Sequence, residues 1–293
     1  MALLLDELLC GMLDEVRRSL VAQRVLLIRG DAPERFARVF DWNGIEAVLR
    51  GKHHSAGDFS MFLGGKALDL HFLGVFGTNG DFQPGRFRRL TEQGATVGGA
   101  HLERSFPEIA ALANQARACF GAVVRCAFVA SYGTVSGYPV HYDCDDLIIC
   151  QASGRKRWEF FGSPVAGSGY PYRDDGPPGE PGLTLELGPG DVLIVPSGLR
   201  HRCTPLEPSL HFGFAMTWPT GVWIARRVME TAVDRTVARE PLRSFVPDED
   251  RLALERAIKD ELMAVLRDLD FQEACSRFLE RYPSGGHSGE RGQ

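Results

Sequence analysis

Two histidines and one aspartate stand at a spacing that can hold a transition metal ion. His141 and Asp143 are separated by one residue, and His201 follows a Pro-Gly-Asp turn further along the chain. In an extended strand, residues i and i+2 point to the same face, so the first two side chains can converge on one ion. Two imidazoles and one carboxylate form the facial triad that binds Fe(II) and leaves coordination positions open. We therefore predict a metal site formed by His141, Asp143 and His201.

Two blocks of β-type sequence must position these ligands. The apolar run 147–151 turns at Ala152-Ser153-Gly154 and returns as residues 155–161, a pattern that predicts a hairpin. In the second block, the turn sequence Gly188-Pro189-Gly190-Asp191 precedes the apolar strand 192–195. Such turns between short apolar strands are typical of an all-β barrel. A His-x-Asp tripeptide outside such a framework is usually a surface turn or a paired polar group. The metal assignment therefore depends on the β framework.

A lysine lies inside the predicted hairpin. Lys156 stands among apolar residues of the returning strand, flanked by Arg155 and Arg157. Strand alternation places these two arginines on the face opposite to the lysine. A lysine in a buried position needs an anionic partner or access to solvent. We therefore expect Lys156 either to pair with an anion or to reach solvent.

Together, these features resemble those of a known family. The segment 140–158, the segment 187–196 and His201 are similar to the JmjC (cupin-like) oxygenases that depend on 2-oxoglutarate, above all to bacterial ribosomal-protein hydroxylases and the asparaginyl hydroxylase of the hypoxia factor. The similarity covers residues 85–220. It implies a mainly β fold with flanking helices, built on a double-stranded β-helix (jelly-roll) core, with a helical segment after it.

The resemblance also implies an activity and its cofactors. The expected reaction is hydroxylation of an unactivated C–H bond of a protein or peptide side chain, with Fe(II), 2-oxoglutarate and O2, and release of succinate and CO2. His141, Asp143 and His201 would bind the iron, and Lys156 would pair with the distal carboxylate of 2-oxoglutarate. Tyr138 stands where several members place a small hydroxyl residue against the cosubstrate. Its phenol either supplies that hydrogen bond or lines the pocket.

Other functions stay open at this point. The same chemistry could act on a small molecule or natural-product precursor, or remove methyl groups from lysine. An ordinary cupin would supply a third histidine and a glutamate in its first motif, whereas Asp145 and Asp146 follow here. A non-enzymatic cupin scaffold is disfavoured because the three ligands and Lys156 are all present.

The composition of the chain limits the expected binding partners and the expected cellular compartment. The chain has 293 residues, of which 44% are hydrophobic and 24% charged, as in ordinary globular proteins. The formal net charge of −5 gives no electrostatic case for a nucleic-acid partner. Seven scattered cysteines without a Cys-x-x-Cys pair are typical of reduced cytosolic thiols. Acidic residues interrupt the apolar N-terminus, so we expect a cytoplasmic protein with neither signal peptide nor membrane partner.

The sequence divides into four predicted regions. Residues 1–84 form a helix and strand region that packs on the core, and residues 85–220 form the catalytic core. Residues 51–100 mix glycine with β-type residues, which predicts irregular strands and loops. The apolar helical stripes of residues 221–283 predict a homodimer interface, with packing against the barrel as the alternative. Residues 284–293 form a polar tail that we expect to be disordered.

Overall fold

The computed structural model describes residues 4–165, 179–232, 235, 237–241, 243, 245 and 247–281. The strands are β1 (Leu26–Ile28), β2 (Phe59–Leu63), β3 (Lys66–Ala67), β4 (Thr96–Ala100), β5 (Val123–Ser131), β6 (Asp146–Ser153), β7 (Lys156–Phe161), β8 (Leu183–Leu187), β9 (Val192–Val195), β10 (Arg200–Pro205) and β11 (Ser209–Thr217). The helices are α1 (Leu5–Leu8), α2 (Leu13–Val21), α3 (Trp42–Arg50), α4 (Pro84–Glu92), α5 (Pro107–Phe120), α6 (Gly221–Ala232), α7 (Asp248–Asp268) and α8 (Phe271–Arg281). The tail 284–293, predicted to be disordered, lies outside the described residues.

The strands form two antiparallel sheets. The larger one has the order β1-β9-β6-β11-β5-β4-β2-β3, and the smaller one has the order β10-β7-β8. From β6 to β11 the chain passes repeatedly between the sheets, because β6, β9 and β11 belong to the larger sheet and β7, β8 and β10 to the smaller one. This crossing between two facing sheets is the topology of a jelly roll. The predicted mainly β, jelly-roll fold with flanking helices is therefore confirmed.

The predicted hairpin over residues 147–161 is wrong. Strand β6 pairs with β9 on one side and β11 on the other, so neither of its edges is free for β7. Strand β7 pairs instead with β10 and β8. The turn between β6 and β7 is thus a corner at which the chain changes sheets. Gly154 suits this corner because its φ is +62° and a Cβ there would lie 2.1 Å from the carbonyl oxygen of Pro208.

The inner faces of the two sheets form one hydrophobic core. Near the metal-site end, the larger sheet contributes Ile149, Leu193 and Val195, and the smaller sheet contributes Trp158 and Phe160. Burying each of these large side chains stabilises the fold by about 1.5–3 kcal/mol. The core therefore holds the two sheets together, and with them the strands that carry the predicted ligands.

The N-terminal region supplies both edges of the larger sheet. Strand β1 pairs with β9 at one edge, and β2 pairs with β4 towards the other. Residues 51–100, predicted as irregular strands and loops, also contain helix α4, which the glycine-rich composition obscured. A proline at the first helical position begins that helix. The described residues through Thr217 form one compact unit.

Helices α6 to α8 belong to a second compact unit that begins at Trp218. Within it, Trp223 on α6 packs edge-on against Phe278 on α8, with ring centroids 5.0 Å apart. Arg235 and Glu261 form an ion pair over 3.2 Å. Among the described residues, no helix combines the length and the hydropathy that a membrane crossing requires.

Candidate metal centre

The two histidines of the predicted triad face each other across a single antiparallel bridge. The backbone N–H of His141 donates to the carbonyl of His201 over 3.1 Å, and the reverse bond is 2.7 Å long. The centroids of the two imidazole rings are 4.6 Å apart. His201 lies on β10, whereas His141 lies just before β6 and contacts the β framework through this bridge. Backbone pairing therefore sets the separation of the two rings.

Each imidazole faces the backbone carbonyl of the residue two positions earlier, and this contact fixes its tautomer. The Nδ1 atom of His141 lies 2.9 Å from the carbonyl oxygen of Pro139, and Nδ1 of His201 lies 2.9 Å from that of Leu199. A carbonyl oxygen can only accept a hydrogen bond, so Nδ1 of each ring carries the proton. The lone pair is then on Nε2 of both rings, which is the state that binds a metal ion.

Asp143 completes the cluster from the loop between the bridge and β6. Its Oδ2 atom lies 3.6 Å from Nε2 of His201. One donor atom from each of His141, Asp143 and His201 lies within 4.8 Å of the others. Burial lowers the pKa of His201, partly offset by the Asp143 carboxylate, and this favours the neutral imidazole. Two imidazoles and one carboxylate are a donor set that fits Fe(II).

The cluster is closed on one side and open on the other. The side chain of His201 is 3% exposed, whereas that of Asp143 is 39% exposed. Trp158 and Phe160 cover the ring of His201, with centroids 5.4 and 6.3 Å away. The cluster is therefore accessible from the side of Asp143 and covered by aromatic rings on the opposite side.

Lys156 faces the interior, as the alternation of β7 predicts. Its side chain is completely buried, and its Nζ atom donates to the carbonyl of Val129 over 3.0 Å. Arg155 and Arg157 pair with exposed glutamates on the outer surface. Burial lowers the pKa of Lys156 to about 8. Complete burial excludes access to solvent, and within the described part of the chain no carboxylate pairs with this ammonium group, so an anionic partner would have to come from a ligand.

Tyr138 lies beside the metal cluster with its hydroxyl group already paired. Its Oη atom is 2.6 Å from Oγ of Ser60 on β2, and its ring centroid is 5.8 Å from that of His141. Gly98 leaves room for the phenol, since a Cβ there would lie 2.3 Å from Oη. Burial raises the pKa of Tyr138, so the phenol is neutral. The ring forms a wall of the site.

Two further side chains lie at the site, and the sequence alone assigned a role to neither. His211 on β11 is buried, and its Nδ1 atom lies 3.1 Å from Nζ of Lys156. The indole Nε1 of Trp158 is buried and has no hydrogen-bond partner among the described residues. The ring of Trp158 lies 5.4 Å from that of His201 and 5.7 Å from that of His211, so Lys156, Trp158 and His211 form a buried polar cluster next to His201. A buried donor without a partner in such a cluster suits a ligand that carries acceptor oxygens.

Comparison with known proteins agrees with this geometry. The model of the JmjC domain matches residues 104–222. Ribosomal oxygenase 2 of Rattus norvegicus is 29% identical over 133 residues, which are 44% of this chain and 28% of that protein. Ribosomal protein uL16 3-hydroxylase of Escherichia coli (strain K12) is 28% identical over 116 residues, 39% of this chain and 30% of that protein. The alignments therefore span less than a third of these relatives.

Solved structures show the same fold. The X-ray structure of E. coli YcfD superposes with a TM-score of 0.60 at 19% identity, covering 90% of this chain and 69% of that one. A second structure of YcfD, a ribosomal oxygenase, contains cobalt and 2-oxoglutarate. It superposes with a TM-score of 0.55 at 17% identity, covering 88% of this chain and 67% of that one.

Proposed function

We propose, from the premise that this chain belongs to the JmjC-domain family, that it is an Fe(II)- and 2-oxoglutarate-dependent oxygenase. The proposed reaction hydroxylates an unactivated C–H bond of a protein or peptide side chain. The observation that carries the proposal is the cluster of His141, Asp143 and His201, in which the Nδ1 atom of each imidazole faces a backbone carbonyl and Nε2 is left for a metal ion. YcfD, a protein of the same fold, has been solved with cobalt and 2-oxoglutarate.

The three ligands have one task, which is to hold the ion from one side. A facial triad leaves the other coordination positions for exchangeable ligands. When bound, Fe(II) would supply the activation of O2, coupled to decarboxylation of 2-oxoglutarate to succinate and CO2. Trp158 and Phe160 exclude water from the buried side of His201, which protects the oxidising chemistry from solvent.

Lys156 would bind the distal carboxylate of 2-oxoglutarate. Its ammonium group is buried and has neutral hydrogen-bond acceptors around it, so its positive charge is not compensated. In a pocket of low dielectric constant, such a charge attracts an anion far more strongly than it would in water. A 2-oxo dicarboxylate can place one end at the metal cluster and the other at this ammonium group.

The proposed substrate is a protein. Two relatives are named for their action on ribosomal proteins, and the exposed side of Asp143 leaves a path for a side chain. Ribosomal proteins are therefore the first class of substrate to test.

We also propose a cytoplasmic homodimer without a nucleic-acid partner. All seven cysteines are free, as in a reducing compartment. The net charge of −5 disfavours a polyanionic partner. Apolar side chains of α6 to α8 are exposed, which is typical of an association surface. They are Val222, Met229, Leu252, Met263, Leu266 and Phe271.

The decisive experiment couples turnover to metal content. The purified protein, loaded anaerobically with Fe(II), is given 2-oxoglutarate, O2 and a ribosomal-protein extract. Succinate should form, and mass spectrometry should find one protein heavier by one oxygen atom. His201→Ala should lose most of its iron and all turnover, since two ligands leave the coordinating face incomplete. Full iron content in His201→Ala would overturn the site, and absence of succinate with the wild type would overturn the reaction.

A further inference from the structure

His211 and Val129 face the same ammonium group from neighbouring strands. They are direct partners in the register of β11 and β5 in the larger sheet, whereas Lys156 opens β7 in the smaller sheet. Nζ of Lys156 lies 3.1 Å from Nδ1 of His211 and 3.0 Å from the carbonyl oxygen of Val129. The lysine thus crosses from one sheet to two acceptors on the other.

A local irregularity of the sheet accompanies His211. Along β11, Leu210 pairs with Ser153 and His211 with Gln151, so the register of β6 shifts by one residue between them. Such a bulge changes the direction of the neighbouring side chains and is frequent next to functional sites. The extra residue is Ala152 on β6, opposite the junction of Leu210 and His211, whereas the pairing of His211 with Val129 on β5 is regular.

The contact between Lys156 and His211 determines which nitrogen of the imidazole carries the proton. An ammonium nitrogen has three N–H groups and no lone pair, so it can only donate. Nδ1 of His211 must accept, and the ring is then neutral with its proton on Nε2. Burial and the charge of Lys156 both lower the pKa of His211, in agreement with this assignment. Two N–H groups of Lys156 are engaged by His211 and Val129, and the third has no acceptor among the described residues.

We propose that His211 is a positioning residue for cosubstrate binding. As a neutral acceptor it fixes the direction of the remaining N–H of Lys156 without cancelling the positive charge. A carboxylate at this position would hold the lysine equally well but would neutralise it and repel a dicarboxylate. An apolar side chain would keep the charge but leave an N–H of the ammonium group unpaired. This inference rests on the proposed function and adds that His211 selects for a distal carboxylate.

The test compares two nearly isosteric variants that differ in charge. His211→Asn keeps a neutral acceptor, and His211→Asp replaces it by an anion. Binding of 2-oxoglutarate is measured by calorimetry on the Mn(II)-loaded protein, with 2-oxobutyrate, which lacks the distal carboxylate, as the second ligand. We expect His211→Asn to bind 2-oxoglutarate within about threefold of the wild type. His211→Asp should bind it about tenfold or more weakly, as expected for a changed interaction with a charged group.

Binding of 2-oxobutyrate distinguishes a positioning role of His211 from general damage to the binding site. Affinity for 2-oxobutyrate should stay within about twofold in both variants, because that ligand does not reach Lys156. Equal affinities of the Asn and Asp variants for 2-oxoglutarate would overturn the role of His211, as would equal losses for both ligands. If the wild type binds 2-oxobutyrate but gains nothing from the distal carboxylate, the role of Lys156 fails as well. If it binds neither ligand, the proposed function itself fails.

Discussion

Ser197 donates its backbone N–H to the carboxylate of Asp146 over 2.5 Å, and this bond joins the two segments that carry the metal ligands. A parallel bond runs from the backbone N–H of Gly198 to the carbonyl of Asp143, 2.8 Å long. Burial raises the pKa of Asp146, while the bonds from Ser197 oppose that shift. The loop that carries Asp143 is therefore fastened to the turn that precedes His201.

The first prediction concerns the hydrogen bond from Ser197 to Asp146. Asp146→Ala leaves all three ligands in place but removes the acceptor for Ser197. We expect its affinity for Fe(II) to fall about 10- to 100-fold, the usual effect of losing a group that orients metal ligands. Competition with a chelator measures the change. Asp146→Asn is the matched control and should keep most of the affinity, because its amide oxygen can still accept. Equal losses in the two variants would contradict the role of the hydrogen bond.

The second prediction concerns the charge of Lys156. Lys156→Ala should weaken binding of 2-oxoglutarate by roughly 2–4 kcal/mol, near the effect of removing one partner of a buried charge pair. Iron content should not change, since Lys156 is not a ligand. Arg157→Ala is the control: its side chain pairs with Glu186 on the outer surface, so affinity should be that of the wild type. An unchanged affinity in Lys156→Ala would remove this residue from the cosubstrate site.

The third prediction is a pH dependence of the free energy of unfolding in the ligand-free protein. Burial lowers the pKa of Lys156 from 10.5 to about 8. The unfolded chain then binds the proton more tightly, so the charged lysine destabilises the folded state below pH 8. This penalty disappears as the pH rises from about 8 to 10.5, and it amounts to roughly 3 kcal/mol.

Denaturant titrations of the wild type and of Lys156→Met test whether the free energy of unfolding rises with pH in this way. The wild type should gain stability relative to the variant across that pH range and not below it. Lys66→Met, at an exposed position on β3, should show no such trend against the wild type. A difference between wild type and Lys156→Met that is constant from pH 7 to 10.5 would contradict the lowered pKa.

The fourth prediction decides between the two roles left open for Tyr138. Because Ser60 already engages the phenol, we expect the ring to line the pocket. Tyr138→Phe should then change the affinity for 2-oxoglutarate by less than about twofold and lower stability by about 1 kcal/mol, the net value of one hydrogen bond. Gly98→Ala should act more strongly, since the new methyl group must displace the phenol. A large loss of affinity in Tyr138→Phe would instead assign a direct hydrogen bond to the cosubstrate.

The site could be predicted from the sequence where it depends on local geometry. The period of two along a strand places Lys156 inside and its arginine neighbours outside, as the structure shows. The same rule brought His141 and Asp143 to one cluster, although Asp143 lies in a loop and only His141 takes part in a bridge. Short-range backbone geometry is encoded in residue type and spacing, so these features follow from a few residues.

Features that depend on distant pairing did not follow from the sequence. The false hairpin arose because a turn between two apolar runs is the same signal whether the strands pair or separate into two sheets. Ser60 is 78 positions from Tyr138, and His211 is 55 from Lys156. Nothing local to either member of these pairs indicates its partner. The continuous apolar run 147–150 of β6 was the available clue in the sequence, since a strand buried on both faces lies in the middle of a sheet.

The last prediction concerns the second compact unit and the proposed dimer. Met263 and Leu266 on α7 are 46% and 39% exposed although both are large and apolar. In a twofold dimer each substitution acts twice, and each buried side chain of this size contributes about 1.5–3 kcal/mol. Light scattering at micromolar concentration should give twice the mass of the chain for the wild type. The double variant Met263→Glu with Leu266→Glu should give the mass of one chain.

The control for the dimer test introduces a glutamate at an exposed apolar position outside α7. Val21 at the end of α2 is 87% exposed, and Val21→Glu should leave the dimer intact. Iron content should be the same in all three proteins, because the metal cluster belongs to the other compact unit. A monomeric wild type would refute the dimer outright. A dimer that survives both glutamates would place the interface away from this face of α7.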